Sequence, residues 1–419
     1  HIKVKGEHFW GASGAAIHAA APWPYRHLDV GALRRSGWRP TAFREFVLKI
    51  HQRCNLACDY CYVYTMADQS WRTRPKTMSS RVWSATAERI GEHVATHHLD
   101  EVTVILHGGE PLLAGADRID AVVSAVRAAL PAGALCRFAL QTNGVLLDEA
   151  MLRLLDRNDI SVGVSLDGAG QDNDRHRMFA NGLGSFDAVR TSLQLLRGPA
   201  FRRLYSGLLA TVDPGIDPVK CYEALLEFEP PGIDFLLPHA NWSQPHRAST
   251  LAEHPFGDWL LAVFDRWYDA PAQETGIRIF EEILQTVLGG ESRSEAVGLS
   301  SVAVAVVETD GAIEQADSLK SAYHGAASTG RSVLTDSFDA TLDDPGIIAR
   351  QIGVEALSDT CRECELHLIC GGGMYPHRYR AGHGFRNPSV YCADLGCLID
   401  HVGRRVAADL AVRGHALLP

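Results

Sequence analysis

The chain has no stretch approaching the roughly 20 apolar residues that a membrane-spanning helix needs. It also has no long basic run, and its formal net charge is −10 over 419 residues. Both features argue against a nucleic-acid partner and against docking on an anionic membrane surface. The opening residues lack the basic, apolar, small-residue order of a secretory signal, so the expectation is a cytoplasmic protein. No internal repeat beyond a strand–helix alternation, no low-complexity tract and no Ser/His/Asp triad is legible. With 46% hydrophobic residues over this length, two or three structural units are expected.

Cysteine is not scarce. Ten are present, at 54, 58, 61, 136, 221, 361, 364, 370, 392 and 397. In a reducing compartment they are not expected to be disulfides. Seven fall into two groups, Cys54–Cys61 and Cys361–Cys370 with Cys392 behind, and clustering on that scale points to metal. Cys136 and Cys221 lie in apolar surroundings and read as small buried hydrophobes.

From residue 45, buried-strand patterns alternate with helical ones. The strands are 46–50, 101–106, 136–141, 160–166, 204–212 and 233–238. The helices between them are 79–98, 118–130, 148–158, 185–197 and 218–228, with Ser185 as a capping residue. Parallel strands with helical crossovers follow, as an α/β, partial (β/α)6 TIM-like barrel. In such folds the chemistry sits at the carboxyl ends of the strands. The polar signatures fall there: the first cysteine group after strand 1, "HGGEP" after strand 2, "QTNG" after strand 3 and "SLDG" at strand 4. Residues 255–290 read as helical. "SSVAVAVVETDGAIEQADSLK" reads as two short strands around an Asp-Gly turn.

Cys54, Cys58 and Cys61 form a C-x3-C-x2-C set with no further cysteine nearby. Zinc usually takes four ligands from paired C-x2-C units. Three thiolates on a four-iron cluster leave one iron open for something else. This spacing, with Tyr60 before the third cysteine and the three strand-end motifs, resembles the radical S-adenosylmethionine superfamily. The resemblance implies a [4Fe-4S] cluster on Cys54, Cys58 and Cys61 and S-adenosylmethionine on its open iron. It implies that Gly108, Gly109 and Glu110 meet the methionine amino group, that Asn143 and Ser165 contact the ribose and methionyl portions, and that Arg177 pairs the methionine carboxylate. For Arg177 a surface role at a helix entrance is the competing reading, and Asp167 either orients its turn or touches the ligand.

The second group, Cys361, Cys364, Cys370 and Cys392, resembles the SPASM extension that carries auxiliary clusters in radical enzymes acting on peptides. Met374 stands where that pattern has a further cysteine, and the cysteines expected around Asp310-Gly311 are absent. The resemblance therefore implies one auxiliary [4Fe-4S] cluster. Zinc on four cysteines and a ligand role for Cys397 stay open. The implied layout is an N-terminal arm (1–43), the barrel (44–240), a helical linker (241–299), a SPASM-like auxiliary-cluster domain (300–402) and a C-terminal tail (403–419).

Stretches 43–71, 235–243, 295–323 and 370–395 together resemble the FxsB-type radical SAM/SPASM proteins that act on ribosomally made precursor peptides. That implies a peptide cyclophane synthase, joining an aromatic ring carbon to the β-carbon of a nearby residue. Alternatives are thioether formation, epimerisation, side-chain oxidation, or a binding protein with degenerate catalysis. An electron donor such as flavodoxin or ferredoxin is implied. Asp310, Glu314, Asp317, His377 and Tyr379 are candidate bases, and Trp242, Tyr375, Tyr379 and Phe385 are candidate groove residues. Gly371–Gly373 either bring backbone amides to the cluster sulfurs or form a flexible turn.

Overall fold

The computed structural model describes residues 28–250 and 252–412. A short helix α1 (Val30–Arg35) precedes the sheet. The rest of the expected arm, before residue 28, lies outside the described residues. Six parallel strands follow: β1 (Glu45–His51), β2 (Glu101–Gly108), β3 (Leu135–Thr142), β4 (Ile160–Ser165), β5 (Tyr205–Thr211) and β6 (Gly232–Leu236). They pair in chain order, as in Glu45↔Thr103, Phe138↔Ile160 and Leu208↔Ile233. The crossovers are α2 (Ser80–Thr96), α3 (Ala116–Ala129), α4 (Glu149–Arg157), α5 (Phe186–Arg197) and α6 (Pro218–Leu226).

Local chemistry sets the helix starts. Ser79 accepts from the Val82 amide to open α2, Asp148 accepts from Met151 to open α4, and Asp217 precedes Pro218 at α6. Ser185 departs from expectation: its hydroxyl donates to the Arg177 carbonyl, and Asp174 Oδ1 takes the Phe186 amide at 2.9 Å instead. The apolar faces of the helices then close on the sheet. Val82, Ile90 and Val94 of α2 and Ile119, Val122 and Val126 of α3 are buried against Phe46, Leu48, Val104 and Leu106. Each such side chain contributes about 1.5–3 kcal/mol on burial.

The sheet has ten strands rather than six, in the order β10-β9-β8-β1-β2-β3-β4-β5-β6-β7. A two-residue β7 (Gly276–Ile277) adds to β6. On the other side β8 (Val304–Val307) pairs parallel with β1, which would otherwise present an open edge. The Asp-Gly turn joins β8 to β9 (Ala312–Glu314) antiparallel, as expected, and β10 (Ser328–Ser332) closes the series. The expected boundary at residue 300 is thus crossed by continuous hydrogen bonding.

Two further expectations are corrected. The segment 241–299 is no mere linker, because α7 (Pro255–Tyr268) and α8 (Arg278–Val287) bury Phe256, Trp259, Phe264, Phe280 and Ile283 in the main core. The expected break at 402/403 falls inside one helix, α9 (Cys392–Val412), whose Leu398, Ile399, Val402 and Val406 are buried. Residues 413–419 lie outside the described residues. Asp394 on α9 accepts from the Phe256 and Gly257 amides at 2.8 Å each, capping α7 from a different element. Among the described residues no helix is long and apolar enough to cross a membrane.

Candidate functional site

A cavity of about 160 Å³, partly open to solvent, lies at the carboxyl ends of the strands. Cys54, Cys58 and Cys61 reach it from the loop after β1, Gly108 and Gly109 from the end of β2, and Asn143, Ser165 and Asp167 from the ends of β3 and β4. Four stretches far apart in sequence converge because parallel strands place their carboxyl ends on one rim.

The cysteine loop is held from both sides. The Gly109 amide donates to the His51 carbonyl at 2.9 Å and the Glu110 amide to the Arg53 carbonyl at 3.0 Å. This approach requires glycine: a Cβ on Gly109 would lie 1.8 Å from the Tyr64 hydroxyl and 2.6 Å from the Arg53 backbone. On the far side the Ala57 amide donates to the Met178 carbonyl at 2.7 Å. Asn143 Nδ2 donates to Asn55 Oδ1 at 2.8 Å and lies 3.6 Å from Cys54 Sγ. Gln141 donates to Ser165 Oγ at 3.0 Å.

Arg177 is buried in the cavity wall rather than at the surface, 8% exposed, and its Nη1 donates to the Tyr60 hydroxyl at 2.8 Å. Tyr60 in turn donates to Asp167, whose other oxygen accepts from the Thr211 amide at 2.9 Å. Asp167 therefore both borders the cavity and orients its turn. Arg177 Nε has no hydrogen-bond partner. Glu110 stands behind the wall instead of in it. Its carboxylate accepts from the Leu112 amide at 3.0 Å and from the Thr142 hydroxyl and Asn143 amide at 2.8 Å each. Two of those bonds fall on Oε1 and one on Oε2, so Glu110 organises the β2 and β3 ends.

Burial pushes the Cys54 and Cys58 thiols up to about 11 and raises Cys61. Thiols so placed become thiolates only with a cation to stabilise them. The second group shares this property: burial takes Cys370 to about 11 and Cys392 to about 12. Cys392 is influenced by Cys370, Cys361 and Cys364, which brings all four thiols together. Cys397 is influenced chiefly by Asp258, Asp394, Asp400 and Arg404 and groups with His254 and Asp258. Sulfurs around a tetrahedral zinc, with bonds near 2.3 Å, sit roughly 3.8 Å apart. Among the described residues, three groups of potential ligand atoms close to within 4.8 Å, and neither cysteine set is one of them.

Gly371, Gly372 and Gly373 all have left-handed φ, between 61° and 79°. A Cβ on Gly371 would lie 1.6 Å from the Gly298 carbonyl. The Gly372 amide reaches Cys370, and the carbonyls of Gly371 and Gly373 accept from Arg378 Nη2 at 2.6 and 2.5 Å. The turn is pinned to the thiol and to Arg378.

Several residues at the site escaped the sequence reading. Tyr62, His107 and His239 also line the cavity. Nδ1 of both histidines is buried without a hydrogen-bond partner, and burial lowers His107 and takes His239 down to about 4, leaving it neutral. Beneath them lies a buried charge network. Lys49 meets Asp317 at 2.7 Å, Lys320 meets Asp317 and Glu314 at 2.9 Å each and also Glu308, and Arg74 meets Glu308 at 2.8 Å and Glu314 at 2.5 Å. Burial alone would raise Asp317, but Lys320, Lys49 and His107 outweigh it and hold the carboxyl well below its usual range. A lysine inside the apolar run "FVLKI" was the available signal.

The remaining candidates scatter. Asp310 is partly exposed beside Arg74, and His377 is buried with Nε2 unpartnered, its ring 6.1 Å from that of His239. Tyr375, Tyr379 and Phe385 are core residues first, although Tyr375 also borders a small pocket beside Gly371 and Arg378. They pack with Leu319, Ala322 and Ala326 in a second small core. Trp242 stays partly exposed and donates to the Pro388 carbonyl at 2.7 Å. Cys221 is buried as expected, whereas Cys136 is only half-buried.

Comparison with known proteins agrees with this layout. The Radical SAM superfamily model matches residues 48–220. A cysteine-type anaerobic sulfatase-maturating enzyme of Clostridium perfringens is 24% identical over 76% of this chain and 85% of its own. A solved structure of native anSMEcpe with bound AdoMet and Cp18Cys peptide superposes with a TM-score of 0.75 at 21% identity, covering 88% of this chain and 99% of that one. Streptococcus suis SuiB bound to its precursor peptide SuiA has a TM-score of 0.54 at 14% identity, covering 85% of this chain and 78% of that one.

Proposed function

We propose, from the match of residues 48–220 to the Radical SAM superfamily model, an enzyme that modifies a ribosomally made precursor peptide. Cys54, Cys58 and Cys61 would hold a [4Fe-4S] cluster, with S-adenosylmethionine in the adjoining cavity. One observation carries this reading: three buried thiols and the ends of β2, β3 and β4 border the same space. When bound, the pair supplies a 5'-deoxyadenosyl radical that removes a hydrogen atom from a substrate carbon.

The chain's own residues bind and orient. Gly108 and Gly109 let backbone approach the methionine end. Asn143 and Ser165 offer hydrogen bonds to ribose and methionyl groups, and Arg177 presents a buried cation with a free Nε for a carboxylate. Tyr60 holds that guanidinium in place. Tyr62, His107 and neutral His239 complete the lining of that cavity. Cys361, Cys364, Cys370 and Cys392 would hold the auxiliary [4Fe-4S] cluster, and a flavodoxin or ferredoxin would supply electrons.

The product we propose is a three-residue cyclophane, a bond between an aromatic ring carbon and a nearby β-carbon. The resemblance of four separate stretches to FxsB-type proteins supports it. The reaction needs the two carbons held close to contact and no polar nucleophile. A second reading, oxidation of a side chain to an aldehyde, is favoured by the sulfatase-maturating relatives. Anaerobic turnover with the precursor peptide, followed by tandem mass spectrometry, separates the two. A cyclophane loses two hydrogens and gives no fragments within the bridged residues. An aldehyde fragments normally and is captured by a hydrazide. Cleavage of S-adenosylmethionine with no change to any peptide would overturn the substrate class.

A further inference from the structure

Cys397, like Cys136 and Cys221, falls outside both cluster groups, and the structure gives it polar company. It lies on the second turn of α9, five residues beyond Cys392. One ligand atom from each of Cys397, His254 and Asp258 lies within 4.8 Å of the other two. His254 and Asp258 are one helical turn apart at the start of α7, with Nδ1 to Oδ1 at 2.9 Å. His254 Nδ1 is itself buried and has no well-aligned hydrogen bond. An isolated His–Asp contact on a helix would be an ordinary surface ion pair. A thiol from a second helix in the same place is not needed for that.

The donor chemistry is selective. A thiolate, an imidazole and a carboxylate together suit zinc rather than calcium or magnesium, which take oxygen ligands. Around a tetrahedral zinc, ligand atoms stand roughly 3.3–3.8 Å apart, so the three must close by at most about 1.5 Å. The surroundings are acidic. Asp394 lies nearby, occupied by the Phe256 and Gly257 amides. Arg404, the one cation that influences Cys397, is 3.2 Å from Asp400. All three side chains are at least partly accessible, which leaves a fourth position for water.

We propose that His254, Asp258 and Cys397 bind a single zinc ion. The site pins the first turn of α7 to α9, and thereby steadies the helix that carries Cys392. It reinforces a junction already made by the Asp394 cap.

The test is zinc K-edge X-ray absorption on the full chain, carrying its clusters, given one equivalent of zinc anaerobically and desalted. The proposal expects about one zinc per chain, with one sulfur near 2.3 Å and nitrogen or oxygen ligands near 2.0–2.1 Å. Cys397→Ser should reduce retained zinc at least tenfold while leaving iron content unchanged. His254→Gln, at a partly exposed position, should do the same and covers the case in which the cysteine variant misfolds. An all-sulfur shell would place the zinc on the auxiliary cysteines and overturn the proposal. So would loss of iron in Cys397→Ser, or zinc retention unaffected by either substitution.

Discussion

Asn143 Nδ2 donates to Asn55 Oδ1 at 2.8 Å, so the end of β3 grips the loop that carries Cys54. The same nitrogen lies 3.6 Å from the Cys54 sulfur. Asn143→Ala removes the bonds to Asn55 and from the Val145 amide, and with them the one hydrogen bond, of roughly 0.5–1.5 kcal/mol, that Asn143 is proposed to give the cofactor. We expect binding of S-adenosylmethionine to weaken about two- to twelve-fold, with iron still incorporated. Equilibrium dialysis against the labelled cofactor measures this directly. Unchanged affinity would remove Asn143 from the cofactor site.

Gly109→Ala is a sharper perturbation. Its Cβ meets backbone at 2.6 Å as well as a side-chain oxygen at 1.8 Å, and backbone cannot rotate away. The cysteine loop must shift, so iron retained after reconstitution should fall severalfold. Iron and sulfide analysis against wild type checks it. Normal iron content would show the loop to be more tolerant than the packing implies.

His176 bridges the cysteine loop and the end of β5, meeting Asp59 at 3.0 Å and Asp213 at 3.3 Å. The hydrogen bond to Asp213, then that to Asp59, carries its imidazole up to about 9. Asp213 is lowered, first by His176. A raised imidazole contributes stability that is complete below its unfolded value, about 6.5, and fades as pH rises through about 9. A lowered carboxyl contributes above its own unfolded value, about 3.9, and fades as pH falls. The bridge is therefore strongest between those limits. Melting temperature should decline from neutral pH toward pH 9, and Asp213→Asn should flatten that decline. Parallel curves for the two proteins would exclude the bridge.

Lys320 sits among three carboxylates at 2% exposure. Lys320→Met leaves Glu308, Glu314 and Asp317 with too few cations in a dry interior. Removing one partner of such a network costs roughly 3–5 kcal/mol. The shift in denaturant midpoint reports it. A cost below about 1 kcal/mol would mean the network is hydrated.

The six central strands were readable because each is a short apolar run ending in turn residues, and the site was readable because its motifs stand at those ends. The pairing of β8 with β1 was not. It depends on register between segments some 250 residues apart in sequence, which no local pattern encodes. Tyr375, Tyr379 and Phe385 misled for the opposite reason: aromatics have the same composition in a groove and in a core, and packing decides between them. Ser185 has the right residue type for a cap, but the nearby Arg177 carbonyl competes for its hydroxyl. His107 and His239 carry no local signal of their own, because only the fold brings both to one cavity.

The central claim is that Cys54, Cys58 and Cys61 hold a four-iron cluster with a position left for S-adenosylmethionine. Low-temperature EPR of the reduced, anaerobically reconstituted protein tests it most directly. The account predicts a cluster signal that changes when S-adenosylmethionine is added and is lost in Cys54→Ala. A signal indifferent to S-adenosylmethionine, or zinc in place of iron at these thiols, would contradict it.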